Sequence, residues 1–172
     1  RQGNVGIEIS DLFSAGGVDG STLDVRLIYT VSTLSKAATI SDVHMNFDSY
    51  APDANARSSV SESVCPAGST SLCSSAERLA FIQVSDRATA TGEIQHLSAA
   101  ADLSSLVASA RVFKDIGLTA DANGFVSFSI LTQTFSQVPE PGRVDLLGTA
   151  LLGGAALLCL RDRENGDIQG SA

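Results

Sequence analysis

Between Ile40 and Asp48 the side chains alternate. Val43, Met45 and Phe47 fall on one side, and Asp42, His44, Asn46 and Asp48 on the other. A period of two over this length means a strand with one dry face and one wet face. A helix through the same residues would scatter its apolar side chains around the whole circumference. This stretch therefore commits the chain to a sheet that covers something on one side only.

Other segments repeat the pattern less cleanly. Val5 to Ser10 presents Val5, Ile7 and Ile9 on one face. Leu23 to Thr33 sets Leu23, Val25, Leu27, Tyr29 and Val31 against Asp24, Arg26, Thr30 and Ser32, with Ile28 out of phase. Arg78 to Val84, Ala88 to Leu97, Leu106 to Ile116 and Phe125 to Phe135 also read as strands, the last with Val126, Phe128 and Ile130 on one face. Glycines mark a loop over Ala15 to Ser21, and Asn123-Gly124 marks a hairpin turn over Ala120 to Gly124. Ser49 to Ala76, rich in Ser and Pro and poor in large apolar residues, reads as a long excursion from the core. Ser98 to Ser105 permits a short helical turn. About seven strands with Gly, Asn and Asp turns predict an all-β, antiparallel, jelly-roll-like β-sandwich over residues 1–136.

Charge narrows the function. A formal net charge of -8 argues against nucleic acid, whose binding needs clustered Lys and Arg. With 17% charged and 5% aromatic residues, the chain suits a secreted β-rich surface protein better than a cytosolic enzyme. No Gly-x-Ser-x-Gly elbow is present, and His44 and His96 read as rim histidines rather than general bases. Asp121-Ala-Asn-Gly mimics the start of a calcium loop, but its twelfth position is Thr132 rather than Glu. No cofactor, resident metal or catalytic residue is expected. Cys65 and Cys73 bracket the loop CPAGSTSLC. A disulfide, free thiols or a metal site are all open to this pair, and a metal would need further Cys or His ligands. Cys159 lies in an apolar run and reads as a small hydrophobe.

The C-terminal stretch is of another kind. Pro139 and Pro141 stiffen a segment around Glu140. The fifteen residues from Leu146 to Leu160 then carry no charge and only Thr149 as a polar side chain. Arg161 and Arg163 follow, which would favour that end staying in the cytoplasm. Fifteen helical residues span about 22 Å, short of the ~30 Å hydrocarbon core, so a buried helix is the alternative to a membrane segment.

Val138-Pro139-Glu140-Pro141, the Leu/Gly/Ala-rich run and the basic end together resemble the PEP-CTERM sorting domain of exported bacterial proteins. Arg143 and Asp145 put charges where that family has small or apolar residues, and the chain continues to Ala172. The resemblance implies a linker over 137–143, a hydrophobic sorting helix over 144–163 with Arg161 and Arg163 as its basic end, and a polar tail over 164–172. It implies an exosortase-type membrane protease as partner, a transient membrane contact through 144–160, and exopolysaccharide in the surroundings. An export signal would precede Arg1. The expected function is that of an exported, non-catalytic cell-surface or matrix protein. The alternative is a secreted carbohydrate-binding module, which usually needs exposed aromatics; this chain has no Trp and only Tyr29 and Tyr50.

Overall fold

The computed structural model describes residues 5–139 apart from 36 and 55. Nine strands run through the described residues: β1 (Val5–Gly16), β2 (Ser21–Ser32), β3 (Ala38–Tyr50), β4 (Arg57–Pro66), β5 (Ala80–Thr89), β6 (Gly92–His96), β7 (Ser98–Val107), β8 (Ser109–Ala120) and β9 (Phe125–Pro139). They form two antiparallel sheets, ordered β1-β9-β3-β7 and β2-β8-β4-β5-β6. The chain changes sheet at every connection except β4 to β5 and β5 to β6. Each sheet buries one face against the other, which makes a β-sandwich. Among the described residues no helix is long and apolar enough to cross a membrane.

The alternation predicted for β3 holds: Val43, Met45 and Phe47 are all buried in the core. They meet Phe128 and Leu131 of β9 on their own sheet, and Val60, Val64, Val84, Val112, Ile116 and Leu118 from β4, β5 and β8. Phe128 is the aromatic centre, stacked on Phe13 at 4.6 Å and tilted against Phe47 at 5.2 Å. The turn before β9 follows the Asn-Gly reading. Asn123 takes a φ of 61°, and Gly124 donates its N–H to the Asp121 carbonyl at 2.8 Å.

Three expectations are corrected. Ser49 to Ala76 is not one excursion, because β4 runs through its middle between β8 and β5. Its inward positions are Ser58, Val60, Glu62 and Val64, all buried, and its outward ones between Arg57 and Cys65 are short serines. Two valines carry the apolar period, and the polar remainder concealed it. Ser98 to Ser105 is strand β7 rather than a helical turn, since Met45 to Asp42 of β3 pair with Ala99 to Asp102 in register. Small alanines suit this close edge position. Ile130 faces outward at 41% exposure, and Leu131 takes the inward place. The β1–β9 register shifts between Ser10 and Phe13, beside Ile130, and such a bulge reverses the phase of the residues beyond it.

Candidate functional site

The outer face of the five-stranded sheet holds two depressions. In β4 the outward side chains Ser59, Ser61 and Ser63 are short, and Gly117 of β8 has none. Longer side chains stand on the flanking strands, so the middle of the sheet forms a trough. One depression of about 410 Å³ lies between Arg26, Ile28, Ser61, Phe81 and Phe113 under the loop residues Thr70 to Leu72. A second, of about 500 Å³, lies between Arg57, Ser59, Gln83, Arg87, Ile94 and Gly117. Ile28, out of phase in the sequence, is outward because it belongs to this face.

The loop over one end of the trough is fixed covalently. Cys65 at the end of β4 and Cys73 are joined in a disulfide, with Cα atoms 5.9 Å apart, and both pack on Phe113. Closing so short a loop stabilises by about 2.5 kcal/mol on the chain-entropy estimate. Ser74 and Glu77 close the next turn, Ser74 Oγ donating to Glu77 Oε2 at 2.9 Å. These two hydrogen bonds from Ser74, through its hydroxyl and its N–H, hold the Glu77 carboxyl below its usual value. Arg78 then places its guanidinium 4.9 Å from the centre of the Phe81 ring. Phe81 is 48% exposed and turns one aromatic surface toward the trough. Hydroxyls, an amide, cations and an open ring make a surface suited to a hydroxylated or weakly anionic ligand.

Neither histidine lines the two depressions. His44 Nε2 lies 2.9 Å from Asp42 Oδ1 on the outer side of the other sheet. Burial alone would raise the Asp42 carboxyl, but hydrogen bonds from Ser136 and Ser41 and the His44 charge outweigh it and hold it below its usual value. Ser41 donates to Asp42 Oδ2 rather than to the imidazole. His96 ends β6 in an exposed position opposite Ser85. Among the described residues no group of three or more His, Cys, Asp or Glu side chains could hold a metal ion.

Beneath the trough, in the dry layer between the sheets, lies a polar cluster. Lys114 of β8 and Glu62 of β4 are cross-strand partners, and both side chains are fully buried. Lys114 Nζ is 2.7 Å from Glu62 Oε2 and 3.4 Å from Met45 Sδ. Gln133 of β9 reaches across from the other sheet and donates its Nε2 to Glu62 Oε1. Tyr29 of β2 donates its hydroxyl to Gln133 Oε1 at 2.6 Å. Burial pushes Glu62 up and Lys114 down, which drives the pair toward its neutral form; burial and the Glu62 carboxyl push the Tyr29 hydroxyl far above its usual value.

No protein-family model matches the chain, and no curated protein matches it. Among the solved structures that match it, two are viral and of low identity. A chain in the structure of infectious bursal disease virus Gx strain matches with a TM-score of 0.41 and 10% identity, over 82% of this chain and 33% of that one. This chain thus spans about a third of that chain's length. A chain of desmodium yellow mottle tymovirus matches with a TM-score of 0.29 and 11% identity, over 83% of this chain and 95% of that one.

Of the sorting residues, Val138 and Pro139 end β9, three residues past the domain boundary expected at 136. Glu140, Pro141, Arg161, Arg163 and the helix expected over 144–160 lie outside the described residues. Sequence reasoning missed the roles of Phe81, Glu62 and Lys114. Only the phase of the alternation could have found them: Phe81 sits one position out of the Ala80, Ile82, Val84 inward pattern, and Glu62 sits between two inward valines.

Proposed function

We propose that this chain is an exported, non-catalytic β-sandwich protein of a bacterial cell surface or extracellular matrix, carrying a PEP-CTERM sorting signal. The observation that carries the reading is the Cys65–Cys73 disulfide, because such bonds persist in oxidising, extracytoplasmic compartments. It supports export without reference to the tail, and the tail sequence Val138 to Arg163 points the same way. The strand order, with β1-β9-β3-β7 facing β2-β8-β4-β5, supports a jelly-roll reading in which β6 is an added edge strand. In this reading residues 144–160 form a helix held briefly in the membrane, Arg161 and Arg163 stay on the cytoplasmic side, and an exosortase-type protease meets the extended Pro-Glu-Pro segment outside. Recovery of the protein from the surface of a host with an exosortase should give a mass ending near Pro141. Intact protein through Ala172 on that surface would refute processing.

A second reading, a carbohydrate-binding module, is favoured by Phe81 and the serine-lined trough beside it. Sugars bind on flat aromatic rings flanked by hydrogen-bonding side chains. Exopolysaccharide or other glycans should then bind the protein on a glycan array, with binding lost in Phe81→Ala. Binding that survives Phe81→Ala places the sugar elsewhere, and a blank array removes this reading.

A further inference from the structure

The buried cluster contains the parts of an amide-forming reaction. Lys114 supplies an amine, Gln133 a carboxamide, and Glu62 touches both, one group on each carboxyl oxygen. Tyr29 donates a hydrogen bond to the Gln133 carbonyl oxygen, the atom on which negative charge would develop during attack. The Glu62 and Lys114 side chains are fully buried and Gln133 is 1% exposed, so water is kept from competing for the same carbonyl. We propose that Lys114 and Gln133 become joined by a side-chain amide bond that forms without an external enzyme and links the two sheets of the sandwich.

Each part has a reason to be where it is. An amine attacks only when neutral, and a lysine in this dry layer is driven toward that form. A carboxyl that carries a proton to a leaving group must begin protonated, and burial drives Glu62 that way. Lys114 Nζ attacks Gln133 Cδ, and the C–N bond forms. Glu62 gives its proton to Nε2, which leaves as ammonia when the old C–N bond breaks. Glu62 then takes back the surplus proton from Nζ, so it ends as it began. One amide is exchanged for another, no oxidant or cofactor enters, and one ammonia leaves. Fixing the amine and amide in one site supplies the proximity that a free amine and amide in water lack. Met45 Sδ against Nζ adds a soft wall that offers no competing proton acceptor of comparable strength.

The result would be structural. Lys114 lies on β8 and Gln133 on β9, which belong to opposite sheets. A bond between them staples the layers through the core, where reductants that open Cys65–Cys73 have no effect. Neither the sorting tail nor the glycan trough is needed for this inference.

The test is the mass of the full chain, purified folded and then reduced. The wild type should be lighter than its sequence by one ammonia. Trypsin should fail to cut after Lys114 and should release Val112 to Arg143 as one looped peptide, since Lys114 and Gln133 lie on either side of that cleavage point. Glu62→Gln should retain the full mass, and Tyr29→Phe should reach the linked form more slowly. A wild type at full mass with normal cleavage after Lys114 would overturn the proposal, whether or not any variant folds. A loss of water mapped to Lys114 and Glu62, or an ammonia loss that persists in Lys114→Arg, would overturn it equally.

Discussion

Lys114→Met paired with Glu62→Leu should give a sandwich about 3–5 kcal/mol more stable than Lys114→Met alone, measured by urea unfolding near neutral pH. The single variant leaves the Glu62 carboxyl fully buried with its cation gone. Gln133 and Tyr29 remain beside it, but neither carries a positive charge. The double variant replaces both ionisable groups with apolar ones of similar volume in a site that already touches Met45. All of these variants lack the Lys114 amine, so a covalent link to Gln133 cannot enter the comparison. The single variant should also be sensitive to pH. Its Glu62 is raised by burial in the fold, whereas the unfolded chain titrates it near 4.5. The folded state thus binds the proton more tightly, so stability is greatest below that unfolded value and falls as pH rises through the folded one. Equal stability of the single and double variants would show that Glu62 is not a desolvated charge.

The sandwich was legible where apolar residues kept the period of two, as at Val43, Met45 and Phe47. It was illegible where inward positions held polar residues that find partners only in three dimensions. Glu62 lies between Val60 and Val64 in phase with both, yet a glutamate among serines reads as solvent until Lys114 and Gln133 are seen to meet it. β4 was lost for that reason, and with it the trough that its outward serines create. Phe81 and Ile82 are adjacent and both large and apolar, so the sequence lets either face inward; the pairing of Ile82 with Glu62 in β4 settles the phase. Ile130 was misassigned because a bulge leaves no fixed mark in composition.

The same blindness applied to Asp86, whose substitution Asp86→Asn should raise stability by about 2 kcal/mol near pH 8 and by almost nothing near pH 4. The inward phase of β5 runs Ala80, Ile82, Val84, Asp86, Ala88, so a carboxyl occupies a core position at 0% exposure. Neither of its oxygens has a hydrogen-bond partner among the described residues. Ser58 on β4 and Gln95 on β6 are its cross-strand neighbours. Burial raises the carboxyl first, and Glu93 nearby raises it further. The polar groups of Ser49 and Gln95 lie close enough to offset this in part, though outside hydrogen-bond geometry, which leaves it pushed up to about 6. An unfolded aspartate titrates near 3.8, so between these values the folded state holds a proton that the unfolded state has released. Stability is therefore full below the unfolded value and is lost as pH rises through about 6. The gap corresponds to at most ~3 kcal/mol, and relaxation of the neighbouring strands around the ionised carboxyl reduces it to about 2 kcal/mol. Asn has the same shape and no charge, so it removes the penalty only where Asp86 would be ionised. Thermal or urea unfolding of both proteins at the two pH values reads the effect directly. A gain of equal size at both would mean that Asn improves packing or hydrogen bonding, and that the Asp86 charge is not what the fold is carrying.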